Sequence, residues 1–452
     1  MTAASSRAIA RDIVATLQQA GFAAFWVGGC VRDFLLGREP QDFDIATDAK
    51  PESVEKLFAK TIPVGKKFGV IIVVAGGQQF QVATFRAEAE YQDGRRPEKV
   101  VFANAEADAS RRDFTVNGLF YDPLTNKIHD WVGGETDLRA KIIRTIGRPE
   151  ERFGEDHLRM LRAVRFAAQL DFEIEPETFA AIKTLASKIK IISAERVRDE
   201  LLKVFLPPHA ARGLVLLRDS GLLEHVLPEL AATVGCEQSP DYHPEGSVFN
   251  HIRLMLEKLP AQPSPSDDSS AAGGLELLPW AVLLHDIAKP VTAAKDLATG
   301  KIHFYGHEKV GAEMAEMILQ RLKFPNRPTE EIVAAVRHHM QFKDVKLMRK
   351  ATLRRLLLRE TFPLELALHR LDCLGSSGNL ENYNFLLEQA EELKNQPQIR
   401  PALLTGDDLM ALGVRPGKEL GALLAEIREL QLADELKTPA EAETWVKQKL
   451  LA

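Results

Sequence analysis

Read as a pattern of apolar and polar positions, the chain changes period about a third of the way along. Ile9, Ile13, Val14 and Leu17 recur at helical spacing. Ala23 to Val27 is a short apolar run that ends at Gly28-Gly29, which predicts a strand feeding a tight turn. Cys30 to Leu36 again has helical spacing, with Val31, Phe34 and Leu35 on one side and Gly37 as a stop. Asp42, Phe43 and Asp44 then alternate. In a strand, residues two apart share a face, so the two aspartates project side by side and Phe43 turns into the core. Pro51 to Phe58 reads as a short helix, and Val70 to Ala75 and Gln79 to Phe85 as strands. From Gly154 onward the helical period dominates. Leu158, Leu161, Val164 and Ala168 mark one helix over Gly154–Leu170, Leu214 to Leu230 marks another, and Leu277 to Leu284 a third.

Length and composition narrow this picture. A chain of 452 residues is too long for one ordinary core and predicts two to four domains. Its 45% apolar and 27% charged residues are those of a soluble globular protein. No apolar run is long enough to span a bilayer, and Met1 to Ala20 carries Arg7, Arg11 and Asp12 in a helical pattern unlike a signal peptide. Three scattered cysteines, Cys30, Cys236 and Cys373, make no disulfide framework, so a reducing cytoplasm is expected. A net charge of −6 argues against a general nucleic-acid binder but leaves room for a local basic face. Pro260 to Gly274, rich in Pro, Ser, Asp and Ala, reads as a disordered surface loop.

The candidate chemistry starts at the glycines. Two glycines at the mouth of a helix let backbone N–H groups approach a phosphate. Two adjacent carboxylates repel unless a cation sits between them, and Mg²⁺ prefers carboxylate and phosphate oxygens. Either feature alone is usually a turn or a solvated strand end. In this order and at this distance they are far more specific. The stretch Phe25 to Thr47 closely resembles the active-site signature of the DNA polymerase β nucleotidyltransferase superfamily, in the class II branch of CCA-adding tRNA nucleotidyltransferases and bacterial poly(A) polymerases. Arg111-Arg112-Asp113-Phe114-Thr115-Val116-Asn117 resembles the family's second signature, and Asp130-Trp131-Val132-Gly133-Gly134 its third. The resemblance implies that Asp42 and Asp44 hold Mg²⁺ as catalytic residues. It also implies that Gly28, Gly29 and Arg32 cradle phosphates, with Arg112, Asp113 and Asn117 on the triphosphate and ribose. In Gln81-Val82-Ala83-Thr84-Phe85-Arg86, glutamine stands where the family usually carries a third carboxylate. The basic stretch Tyr91 to Pro97, with Arg95 and Arg96, resembles the flexible loop of enzymes that add adenosine.

In the helix over Gly154–Leu170, Glu155 and Arg159 are spaced as an i,i+4 pair, worth about 0.3–0.5 kcal/mol on a solvated face. The resemblance gives the same stretch another meaning, the Glu-Asp-x-x-Arg motif that recognises the incoming base. Asp156 and Arg159, at i,i+3, can set an acceptor beside a donor. Cytosine and adenine match that pair, whereas uracil and guanine leave polar groups unpaired. Arg162 and Arg165 add to the nucleotide-binding set. Ser193 is expected to cap the next helix, with Glu195 and Arg196 supporting the neck. Further on, His251, His285-Asp286, His307, His338-His339 and Asp372 resemble the ligand series of HD metal-dependent phosphohydrolases, with His339 favoured over His338.

The expected fold is α+β: an N-terminal mixed-sheet nucleotidyltransferase head over 1–150, an all-α neck over 151–235, an HD-type helical body over 236–380 and a helical tail over 381–452. The expected function is template-independent addition of CCA, from CTP and ATP, to the tRNA 3′ end, with Mg²⁺ at the head. A transition metal or Mg²⁺ is expected at the HD site, with phosphohydrolase activity on RNA ends. The alternatives are a bacterial poly(A) polymerase, an enzyme adding only the terminal A, or an HD phosphohydrolase whose head is an inactive RNA-binding module. The sequence leaves the oligomeric state open.

Overall fold

In the computed structural model the described residues are 5–87, 101–239, 243–260, 275–396, 399 and 401–451. Tyr91 to Pro97, with Arg95 and Arg96, lies outside them, as does nearly all of the 260–274 loop. The chain forms two compact units, Met1–Pro228 and Glu229–Ala452.

The first unit is built on a seven-stranded sheet. Its spatial order is Thr61–Gly65, Val70–Ala75, Gln78–Thr84, Ile45–Thr47, Ala24–Val27, Phe120–Asp122, Lys127–His129. Ile45–Thr47 pairs in parallel with Gln78–Thr84, while its other neighbour Ala24–Val27 is antiparallel, so the sheet is mixed. Alternating apolar positions give both faces something to bury. Trp26 packs on Phe43, Phe34 and Tyr121, with ring centroids 4.8, 6.4 and 5.6 Å away. Val27, Ala46, Phe85, Ala109 and Phe120 form a separate cluster with Phe25 against it. Helices then take over: Pro149–Glu155, Leu158–Leu170, Pro176–Leu185, Ala194–Val204 and Ala210–Asp219.

Three local expectations need correction. The strand begins at Ile45, so Asp42 and Asp44 precede it rather than lie within it. The backbone there is still drawn along the sheet, since the Asp44 carbonyl accepts from Val27 N at 3.0 Å, and the alternation survives: Phe43 is buried while both aspartates are exposed. The helix expected over Gly154–Leu170 is broken. Asp156 has φ −147° and ψ 104°, and a new helix starts at Leu158, so Asp156 and Arg159 do not share a helical face. The run Leu214–Leu230 is also divided, because Gly221 adopts φ +75°, a left-handed conformation that stops a helix.

The second unit is almost wholly helical. Val248–Glu257, Leu278–Leu284, His307–Arg321, Asn326–His338 and Phe362–Gly375 pack on one another, and a small hairpin joins Ala294–Lys295 to Ile302–His303. The last helices, Gly406–Ala411, Lys418–Leu432 and Pro439–Leu451, enclose Leu409, Leu423, Ile427 and Val446 as a core of their own. A mixed-sheet head followed by helices is the expected fold class. Among the described residues no helix is long and apolar enough to cross a membrane.

Candidate functional site

In the first unit the exposed Asp44 lies within electrostatic reach of Arg112, with Asp42 beside it. The Asp44 carboxyl is held above its ordinary value by partial desolvation, the Arg112 guanidinium pulling it down and the Asp42 charge pushing it up. Parallel pairing of Ile45 with Val82 makes Gln81 the residue level with Asp44, exposed like it. Among the described residues the head gathers no cluster of three metal-donor side chains. Two carboxylates with an uncharged amide alongside are what it offers a cation.

Gly28 has φ +76°, and a Cβ there would come within 2.8 Å of Arg112 Nη1. The glycine therefore leaves the space into which Arg112 reaches. Arg112 donates Nη2 to Asp108 at 3.1 Å, and its buried Nε has no partner among the described residues, which leaves donor capacity for an anion. The other expected nucleotide ligands are tied to one another. Arg32 is buried, forks onto Asp33 at 2.8 and 3.0 Å, and donates to Asn117 Oδ1 at 2.7 Å. Asn117 Nδ2 donates to Asp113 at 3.1 Å, so this amide is a link between Arg32 and Asp113. Arg162 donates to Asp113 at 2.8 and 2.5 Å, and Arg165 to Glu200 at 2.6 Å. Burial alone would raise the Asp113 carboxyl; Arg162, with help from Asn117 and the Phe114 amide, brings it down to about 2. Arg32, Arg162 and Arg165 also surround the Phe166 ring, 5.1, 5.4 and 4.0 Å from its centroid.

Asp156 and Arg159 are each held from behind. Asp156 accepts from Leu158 N at 3.1 Å and from Arg196 at 2.7 Å. Arg159, buried rather than on a solvated face, pairs with Glu155 and donates to the Arg152 carbonyl at 2.9 Å. Ser193 does stand at the helix start, but its side chain makes no capping bond.

In the second unit all six expected HD residues converge. His251 Nε2 lies 3.1 Å from Asp372, His285 Nε2 3.1 Å from Asp286, and His307 Nε2 3.4 Å from Asp286. His307 and His339 face each other through Nε2 at 3.1 Å. The four Nδ1 atoms donate outward: to Glu245 at 2.6 Å, and to the carbonyls of Val282, Phe304 and Val336 at 2.9, 2.7 and 2.6 Å. Each imidazole is thereby fixed with its Nε2 turned inward, where a neutral ring presents a lone pair. Burial pushes His339 down to about 3, which keeps it neutral. Two donor groups result, His251–His285–Asp372 and Asp286–His307–His339. Among the described residues, the buried Nε2 atoms of His251 and His285 make no well-aligned hydrogen bond, their carboxylate neighbours at 3.1 Å included. Buried imidazole nitrogens converging with two carboxylates fit a divalent cation. His338 points elsewhere, with its Nδ1 at 3.0 Å from Glu365.

Several residues here escaped the sequence reading. Glu200, 4% exposed, holds Arg165 of the neck from a later helix. Glu245 orients His251 and also accepts from His243 at 2.8 Å. Lys289 pairs with Asp286 at 2.7 Å. The short spacings His243-x-Glu245 and Asp286-x-x-Lys289 were the available signal.

Three family profiles match the chain: the poly A polymerase head domain over 24–144, a probable RNA and SrmB-binding site of polymerase A over 171–233, and the HD domain over 247–375. A CCA-adding enzyme of Lactobacillus helveticus is 47% identical over 223 residues, about half of either protein at 49% of this chain and 55% of that one. An A-adding tRNA nucleotidyltransferase of Deinococcus radiodurans is 34% identical across 93% of this chain and 94% of that one. A CCA-adding enzyme of Levilactobacillus brevis is 32% identical across 93% of this chain and 92% of that one. The crystal structure of the Bacillus stearothermophilus CCA-adding enzyme in complex with CTP superposes with a TM-score of 0.73 at 28% identity, covering 97% of this chain and 96% of that one.

Proposed function

Because the chain belongs to the tRNA nucleotidyltransferases with a poly(A) polymerase head, we propose that it completes the 3′ end of tRNA by adding C, C and A from CTP and ATP. The observation that carries this reading is the likeness to such enzymes along 93% of the chain, joined to the exposed pair Asp42 and Asp44, the latter within electrostatic reach of Arg112. The 3′-hydroxyl of the RNA attacks the α-phosphate, one phosphodiester bond forms, and pyrophosphate leaves. Mg²⁺ held by Asp42 and Asp44 would supply charge neutralisation for that exchange. Arg112 holds the triphosphate end. Asp113, Asn117, Arg32, Arg162 and Arg165 form the wall that shapes the nucleotide cleft. Asp156 and Arg159 read the base edge, Asp156 accepting its amino group and Arg159 donating to its ring nitrogen. In this reading the head is 1–150, the neck 151–235, the HD body 236–380 and the tail 381–452, and the protein works in the cytoplasm.

A second reading, addition of the terminal A alone, is favoured by the Deinococcus relative, which matches along nearly the whole chain. Transcripts ending at the discriminator base, at C and at CC separate the two. With CTP and ATP, all three should grow to CCA. Growth of the CC transcript alone would establish the A-only reading, and long runs of A a poly(A) polymerase.

Gln81 supplies a prediction of its own. Gln81→Glu would restore a third carboxylate level with Asp44, so the Mg²⁺ concentration for half-maximal rate should fall several-fold. An unchanged or higher requirement would place residue 81 outside the cation shell.

The HD centre is a second active site in this reading. Its imidazole-rich donor set suits a transition metal better than Mg²⁺. Such an ion would supply an activated water for hydrolysis of 2′,3′-cyclic phosphates at RNA ends.

A further inference from the structure

Arg152 is 5% exposed and lies in the helix Pro149–Glu155. Burying a guanidinium costs several kcal/mol in lost hydration unless its N–H groups are met. Here its two Nη groups are met in an informative way. Nη2 donates to two carbonyls, Ser110 at 3.1 Å and Arg112 at 2.8 Å, and Nη1 donates to Glu155 Oε1 at 3.1 Å. The other oxygen of Glu155 takes Arg159, and Arg159 closes the loop by donating to the Arg152 carbonyl at 2.9 Å. One side chain therefore joins the backbone that carries Arg112 to the carboxylate that aims Arg159.

We propose that Arg152 is a positioning residue that couples base selection to the placement of the triphosphate arm. The coupling rests on the reading of Asp156 and Arg159 as base readers. With Arg152 in place, Glu155 has one oxygen committed to each arginine, which fixes the direction from which Arg159 is held. Without it, both oxygens are free to pair with Arg159 in a bidentate fork, and that fork draws the guanidinium off the base edge. The same loss strips the donors from two carbonyls at the C-terminal end of the helix Ala105–Ser110, which Arg112 follows. Lysine cannot replace it, because a single ammonium lacks the planar fork that spans these acceptors.

The test uses the full-length enzyme, a tRNA transcript awaiting C, and CTP or UTP. The readout is the ratio of kcat/KM for CTP to that for UTP, which does not change with the fraction of protein folded. In Arg152→Met and Arg152→Lys the ratio should fall by at least about tenfold, the scale set by an unpaired buried group. In an Arg159→Ala background, Arg152→Met should change the ratio by less than about twofold, because residues acting through one another are not additive. A parent-like ratio in both single variants, with only lower stability or yield, overturns the coupling. A parent enzyme that does not reject UTP overturns the base-reader assignment, and the coupling with it.

Discussion

Asp42→Ala and Asp44→Ala should each lower nucleotide addition by about a hundred- to a thousandfold or more, the scale of losing an electrostatic group aimed at developing charge. The chain has no reserve at this point. Gln81 brings no charge, and no third metal donor joins the pair among the described residues. The fold should not suffer. Both aspartates are exposed and precede the strand Ile45–Thr47, and the contact that anchors this backbone, Val27 N to the Asp44 carbonyl, does not use the side chain. Surface substitutions of this kind stay within about 0.5 kcal/mol. Removing one of two neighbouring carboxylates also relieves their repulsion, so Asp44→Asn should unfold no earlier than the parent. Extension of a tRNA transcript, with thermal unfolding alongside, decides the matter. Retained addition in either variant removes the aspartates from the cation site.

His339→Gln should abolish hydrolysis of 2′,3′-cyclic AMP and leave tRNA extension at the parent rate. His339 is the residue of choice because its removal leaves no buried charge behind. Its Nδ1 bonds only the Val336 carbonyl, and the imidazole is held neutral by burial. Asp286 is a poorer target. It pairs with Lys289 at 2.7 Å in a buried setting, so Asp286→Ala would strand the ammonium at a cost of about 3–5 kcal/mol and confuse lost chemistry with lost folding. Hydrolysis is measured with Ni²⁺, Mn²⁺ and Mg²⁺, and bound metal by elemental analysis. The parent should hold a transition metal that the variant loses. A parent that binds no metal and hydrolyses no cyclic phosphate under any of these ions would leave the histidine cluster without catalytic work.

Both expectations draw on features that were plain in the sequence, though not in their final form. Asp42-Phe43-Asp44 was legible because alternation follows from extended backbone, whether or not ladder bonds make it a strand. The HD series was legible because histidines placed on apolar helices have few other reasons to recur. Its geometry was not. His338 and His339 are adjacent, and only packing turns His339 toward Asp286 while Glu365 takes His338.

The neck shows where sequence stops. Helical period over Gly154–Leu170 said nothing of the break at Asp156, because a polar residue fits equally on a helix and at its end. Nor could it assign partners. Seven arginines, Arg32, Arg112, Arg152, Arg159, Arg162, Arg165 and Arg196, each found an acceptor in this unit. Some acceptors are local, as Glu155 is for Arg159. Others are remote, as Asp113 is for Arg162, 49 residues away, and Glu200 for Arg165, 35 residues away. The sequence alone determined what backbone geometry imposes over a few residues: where the period changes, which positions are apolar, where glycine must turn the chain and which side chains can carry chemistry. The tertiary structure decided which cation meets which anion, that Gln81 stands level with Asp44, and that Arg152 joins the Ser110 and Arg112 carbonyls to Glu155. A long side chain pairs through space with whatever packing brings near it, and periodicity along the chain carries no record of that choice.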